Sequence, residues 1–156
     1  MNNFVDLTQK LGTFRLFEGV THEELKSLQQ VFVDRIFRSG ELLTEFDKLD
    51  KHMFFIVSGK VHVTVPHVSG DREEFICDLK ESDTVGEFLL ARTARRTASC
   101  LAYSDVETLV TDGEELSKFL QASPVIGVKV FLNLSRILCE RLTDNNMLVR
   151  RVLGSG

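Results

Sequence analysis

Apolar positions along this chain recur with a helical period at both ends and with an alternating period in between. Residues 4–11 form a short amphipathic stretch. Thr21-His22-Glu23-Glu24 carries a capping-box pattern, followed by helix formers to about Gln29. The texture then changes to short β-like runs at residues 31–37, 42–46, 53–57, 60–65, 74–79, 97–102 and 106–110. Ser39-Gly40 and Ser58-Gly59 read as turns between them. Val61, Val63 and Val65 alternate with Lys60, His62 and Thr64, the pattern of a half-buried strand. Many short strands with Gly, Asp and Ser turns predict a sandwich, jelly roll or barrel.

Helical periodicity returns after residue 111. Asp112 is placed to cap a helix over about residues 114–121, and Ser123-Pro124 to start a longer one. On that helix Val128, Phe131, Leu138, Leu142, Val149 and Val152 share one stripe, with Ser135 and Asn145 at polar places on it. Two uses of the stripe are open. It packs on the chain's own barrel, or it forms a parallel homodimer seam in which Asn145 sets register. The expected organisation is one domain over residues 1–153, with a helical entry at 1–29, a β-roll at 30–111 and closing helices at 112–153. Residues 154–156 read as a flexible tail.

Composition narrows the function. The 156 residues are 43% hydrophobic and 27% charged, ordinary for a globular domain. No apolar run approaches the ~20 residues of a membrane span, and no secretory signal opens the chain. Cys77, Cys100 and Cys139 lack metal-ligand spacing, so a reduced, cytoplasmic protein is the simplest reading. A net charge of −4 argues against a nucleic-acid reader. The exception is the cluster Arg92, Arg95 and Arg96, which suits a small anion better than a polymer. His62 and His67 are five apart and fall on opposite strand faces, and there is no His-x-His pair, so no metal site and no cupin-type metalloenzyme is expected. Serine and cysteine nucleophiles have no companions, so no catalytic residues are expected.

The segment most informative about chemistry spans residues 86–99. Gly86 lets backbone approach a ligand closely, the start of a short helix offers free N–H groups to an anion, and a guanidinium grips phosphate oxygens. Glu87 accepts hydrogen bonds from a sugar hydroxyl but repels phosphate. The pocket should therefore have one anion-binding end and one neutral polar end.

Gly86-Glu87, the short apolar turn after them, and Arg95-Arg96-Thr97-Ala98-Ser99 together resemble the phosphate-binding cassette of the cyclic nucleotide-binding domain family. The wider chain, from about Leu16 to about Val149, is similar to catabolite-activator-type sensor domains. The resemblance implies a mainly β fold with flanking helices: an eight-stranded jelly-roll β-barrel (a double-stranded β-helix) interrupted by the cassette. It implies a non-catalytic sensor with cAMP, ahead of cGMP, as ligand and no further cofactor. Arg96 would pair with the cyclic phosphate, Glu87 would receive the ribose 2′-hydroxyl, and Thr97 would donate to phosphate or base. Gly86 and the N–H groups of Leu89 and Leu90 would finish the cradle.

Arg92 and Arg95 are expected in solvent. Phe75, Cys77 and Leu79, at one parity of a strand, are the candidate base wall, and Ile137 and Arg141 the candidate lid. No winged helix follows, so no DNA contact through this chain and no membrane contact is expected, and the sequence names no effector. Three departures stand out. Leu89 occupies a place where relatives carry a small residue and would crowd the ligand, the turn at residues 45–50 lacks the usual glycines, and Val85 replaces an aromatic residue. Leu89 is the main support for an alternative, a nucleotide-free domain of the same fold that serves dimerisation or protein docking.

Overall fold

The structure is a computed structural model that describes residues 6–154. Phe4 and the tail residues Ser155 and Gly156 lie outside the described residues. Helix α1 (Leu7–Gly12) starts at Asp6, whose side chain accepts from the Thr8 N–H. A 3₁₀ turn (Arg15–Phe17) leads to α2 (His22–Leu28). Both halves of the capping box at α2 are present: Thr21 Oγ1 accepts from the Glu24 N–H, and the Glu24 carboxylate from the Thr21 N–H.

Eight strands follow: β1 (Val33–Phe37), β2 (Leu42–Thr44), β3 (His52–Ser58), β4 (Val61–Pro66), β5 (Glu73–Leu79), β6 (Thr84–Val85), β7 (Ser99–Ala102) and β8 (Val106–Asp112). They form two antiparallel four-stranded sheets in the orders β1-β8-β3-β6 and β2-β7-β4-β5. The expected jelly roll is thus present as two facing sheets, and the pairings among the described residues do not close them into a barrel. β6 has no counterpart among the expected strands. Two residues carry no period, and pairing of Val85 with Phe54 is what makes them a strand.

Strand β3 explains why the apolar run Met53–Val57 is unbroken. Phe54 and Ile56 point between the sheets, beside Phe37, Val61, Val85 and Val110. Met53 and Phe55 point the other way, into a helical core. There the Phe55 ring meets those of Phe14, Phe17 and Phe32 at centroid distances of 5.1, 5.5 and 5.3 Å. A strand buried on both faces has no polar side to alternate with.

Helix α3 (Gly113–Ala122) is capped by Asp112, which accepts from the N–H groups of Glu114 and Glu115. Helix α4 (Pro124–Gly154) has no membrane-spanning character, nor does any other helix among the described residues. Gly154 is its last residue rather than part of a tail. The face of α4 that packs on the body carries Ile126, Val130, Asn133 and Leu134. That corrects one of the two uses expected for the stripe. Of its members only Phe131 packs against the core, whereas Val128, Leu138, Leu142, Val149 and Val152 face solvent. Asn145 is exposed with them, and the buried polar anchor is Asn133.

Asn133 Nδ2 donates to the carbonyls of Leu16 and Glu18 at 3.1 and 2.8 Å, fastening α4 to the first 3₁₀ turn. Lys129 Nζ reaches Glu24 at 2.7 Å beside it. Asn133→Ala leaves two carbonyls without their donor, and chemical denaturation should show a loss of about 1–3 kcal/mol. Substituting exposed Asn145 should leave the unfolding free energy of the monomer unchanged.

Candidate functional site

Between the β2-β7-β4-β5 sheet and the segment that follows β6 lies a cavity of about 370 Å³. Cys77 and Leu79 of β5 and Val63 of β4 supply an apolar wall, while Arg96, Thr97 and Glu87 supply its polar ends. The size and the mix of apolar wall with few polar groups are those of a small-molecule site.

Arg96 is almost wholly inside, with its side chain 3% exposed. Its Nη2 donates to Asp50 Oδ2 at 2.7 Å and to the His52 carbonyl. The other oxygen of Asp50 accepts from the His52 N–H at 3.0 Å and lies 2.8 Å from His52 Nδ1. The Nε and Nη1 of Arg96 are buried and have no hydrogen-bond partner among the described residues. Arg96 is also among the residues lining the cavity, and a buried guanidinium with unmet donors favours an anion beside it.

Two local features make room for Arg96. Gly86 sits at φ +85°, and a Cβ there would collide with Arg96 Nη1. The turn at residues 45–50, which lacks glycines, holds the arginine by its main chain. Asp47 N–H donates to the Arg96 carbonyl, and the Arg96 N–H donates to the Lys48 carbonyl, both at 2.9 Å. Asp47 itself takes φ +62°, a conformation that aspartate tolerates better than most side chains. The turn therefore keeps its shape without glycine.

Gly86 precedes a one-turn 3₁₀ helix (Glu87–Leu90). The Glu87 side chain is 3% exposed and forms an ion pair with Arg141 of α4. Burial pushes the Glu87 carboxyl above its ordinary range. The Arg141 charge and the N–H groups of Glu87 and Gly86 oppose that rise without cancelling it. Asp50 behaves oppositely. Burial raises it, but hydrogen bonds from the His52 N–H, Arg96 and His52 Nδ1 together outweigh burial and hold it low.

The Leu89 N–H, expected in the cradle, is engaged locally. The Leu89 N–H is used inside its own turn, donating to the Gly86 carbonyl at 3.0 Å. Both side chains are buried in the helical core and neither lines the cavity. Leu89 lies so close to Gly113 that a Cβ on the glycine would stand 2.9 Å from its own. The Leu89 Cβ and carbonyl lie against α3, while its Cδ1 reaches back towards Gly86, 3.4 Å from where a Cβ on that glycine would stand. Phe88 lines the cavity instead.

The remaining candidates divide. Thr97 is exposed at the cavity's rim, on a bend ahead of β7 rather than within a strand. Phe75 is 56% exposed and turned to the opposite face, with its ring 4.9 Å from that of His62. The cause is a bulge. Val63 pairs with Cys77 but Thr64 pairs with Phe75, so Ile76 is extra and parity flips between Phe75 and Cys77. Arg141 reaches the cavity, whereas Ile137 lines only a neighbouring depression with Arg15 and Glu140. Arg92 and Arg95 are exposed, and Arg95 Nη1 donates to the Asp47 carbonyl at 2.6 Å.

Residues 34–123 match the family profile of the cyclic nucleotide-binding domain, more than half of the chain. The chain belongs to the cyclic nucleotide-binding domain family. Domains of this family are typically regulatory and non-catalytic. Among solved structures, the fold is similar to that of the Thermus thermophilus catabolite activator protein (TM-score 0.77, 25% identity, covering 88% of this chain and 62% of that one). It is also similar to a cyclic nucleotide-binding domain from Methylobacillus flagellatus (TM-score 0.78, 20% identity, 96% and 82% covered). A third similar structure is the regulatory domain of Toxoplasma gondii PKA with cAMP (TM-score 0.71, 12% identity, 88% and 49% covered). Glutaminase 1 of Bradyrhizobium diazoefficiens is 29% identical over 142 residues, 89% of this chain, and the chain spans 22% of that protein's length.

Sequence reasoning missed Asp50, His52 and Phe88 in this cyclic nucleotide-binding domain. The one available signal for Asp50 was indirect: an arginine buried in a fold needs a carboxylate, and the turn before β3 is acidic. The two carboxyls give opposite pH dependences. A raised Glu87 favours the folded state below its ordinary value of 4.5, and that contribution is lost as pH climbs through the raised value. A lowered Asp50 contributes above its ordinary 3.8, and that contribution is lost as pH falls through the lowered value. In thermal melts, Glu87→Gln should therefore gain on the wild type as pH rises from about 4 to about 7. Asp50→Asn should match it best in acid and fall behind above that. Parallel curves for either variant would contradict the assignment.

Proposed function

We propose that this domain is a sensor for a 3′,5′-cyclic nucleotide, cAMP ahead of cGMP, bound between Arg96 and Glu87. The observation that carries the reading is buried Arg96, which keeps two donors unpartnered and lines a cavity that the Glu87 carboxylate also lines. The cyclic phosphate meets Nη1 and Nε, a ribose hydroxyl donates to Glu87, and the base lies towards Cys77 and Leu79 with Thr97 at the rim. Phosphate exchanges its water for a charge that the fold already holds in place. Ligand occupancy is passed on through α4, since Arg141 of that helix touches the sugar end of the site. The crystallised Toxoplasma gondii regulatory domain was bound to cAMP, and likeness to it supports this ligand class. The nucleotide-free alternative rested on Leu89, which is buried in the helical core and is not among the residues lining the cavity.

Calorimetric titration tests this directly. Wild type should bind cAMP more tightly than cGMP, and Arg96→Ala should weaken binding by at least about 100-fold, two charge-assisted hydrogen bonds being lost. Unchanged affinity in that variant defeats the site.

The solvent-facing stripe of α4 is proposed to pair with the same stripe of a second copy in a parallel two-stranded coil, with Asn145 in the seam. Sedimentation equilibrium should find a dimer that Leu142→Glu converts to monomer. A wild-type monomer at all concentrations rules the seam out.

A further inference from the structure

We propose that His52 is a positioning residue for the phosphate end of the cavity: by taking up a proton it supplies, through Asp50, the positive charge that a cyclic phosphate needs beside Arg96, so ligand and proton bind together. This rests on the cyclic-nucleotide reading above and deepens it with a regulation of the same site by pH. His52 opens β3, and its carbonyl accepts from Arg96 Nη2. Its ring Nδ1 lies 2.8 Å from Asp50 Oδ1, while Asp50 Oδ2 accepts from Arg96 Nη2 at 2.7 Å. Imidazole, carboxylate and guanidinium thus form one chain from an exposed ring to the lining of the cavity.

The charges at the cavity cancel in pairs. Arg96 is matched by Asp50, and Arg141 by Glu87. The other described residues that line the cavity carry no charge. A cyclic phosphodiester therefore brings a whole negative charge to a site that is already balanced, and a buried charge without its counterion is costly. The neutral imidazole can donate Nδ1–H to Asp50. A second proton, on Nε2, adds a positive charge without breaking that bond. Two cations, Arg96 and His52, then face two anions, Asp50 and the phosphate.

The groups around the ring leave His52 as the source of that charge. Asp112, opposite His52 on β8, is engaged by the N–H groups of Glu114 and Glu115. Lys51 is turned to Glu114 of α3 at 2.9 Å. On the turn before β3, Glu45 and Lys48 are exposed, and Asp47 lies 3.9 Å from Arg95. The Phe54 ring, 6.4 Å from that of His52, brings no charge. Asp50 is held low by its hydrogen bonds and stays ionised, so a proton arriving near neutrality goes to the ring.

The test is calorimetric titration with cAMP at fixed ionic strength, at about pH 8 and about pH 6, the range in which an imidazole changes charge. His52→Gln keeps a neutral donor for Asp50, and the side chain is exposed enough for the change to spare both cores. Between those two pH values wild type should gain about fivefold in affinity relative to His52→Gln. Buried Glu87, raised as it is, titrates alike in both proteins and drops out of that comparison. Heats in two buffers of different ionisation enthalpy should show more proton uptake on binding in wild type than in His52→Gln. His52→Lys, charged throughout, should bind at pH 8 about as tightly as wild type at pH 6. Parallel pH profiles in wild type and His52→Gln overturn the proposal, even where the variant is uniformly weaker, because a uniform loss marks a merely structural contact. A His52→Lys variant no tighter than His52→Gln at pH 8 overturns it as well. If wild type binds no cyclic nucleotide at either pH, the sensor reading itself fails and this proposal falls with it. Firm binding with parallel profiles defeats this proposal alone.

Discussion

A cation without water is the constraint around which the rest of the site is built. Placing the Arg96 guanidinium inside the fold carries a desolvation cost of several kcal/mol, which a protein meets only with an opposite charge and filled donors. Asp50 supplies the charge and the His52 carbonyl fills a further position, both on Nη2. The main-chain bonds to Asp47 and Lys48 hold the segment that carries the arginine, ahead of β7. Gly86 clears the space for Nη1. Nε and Nη1 remain without a partner among the described residues.

The segment between Gly86 and Arg96 works because it is tied to two cores at once. Leu89 and Leu90 sink into the helical core against α3, and Val85 just before them belongs to the core between the sheets. Gly113 permits the contact with Leu89 by having no side chain of its own. With its apolar residues anchored in that way, the short turn presents Glu87 and Phe88 to the cavity at a set angle. The backbone amide that could have pointed at a phosphate is instead used to close the turn.

Helix α4 links the body to the cavity. Its first half is fixed by Ile126, Val130, Leu134 and the Asn133 bonds. Arg141 touches the cavity one turn past Ile137, and after it every described residue is exposed. An isolated helix of that length is marginal in water, so the apolar stripe on the exposed half is consistent with pairing. A shift of the helix on its anchor would be felt at Glu87 directly, through one ion pair.

Features that are local in the chain were legible from the residue order. The capping box at Thr21, the cap at Asp112, the alternation through Val61, Val63 and Val65, and the pattern Gly86-Glu87 to Arg96-Thr97 all declare themselves within a few neighbours. Features that depend on distant pairings were not. Nothing near Arg96 indicates that Asp50, 46 residues earlier, neutralises it. Nothing in Glu73–Leu79 announces the extra residue at Ile76 that turns Phe75 to solvent, because a bulge is a property of two strands together. The stripe of α4 was visible, but which of its two apolar faces meets the body depended on where Leu16 and Glu18 offered carbonyls to Asn133. Periodicity states that a face is apolar; only the packed partner decides what covers it.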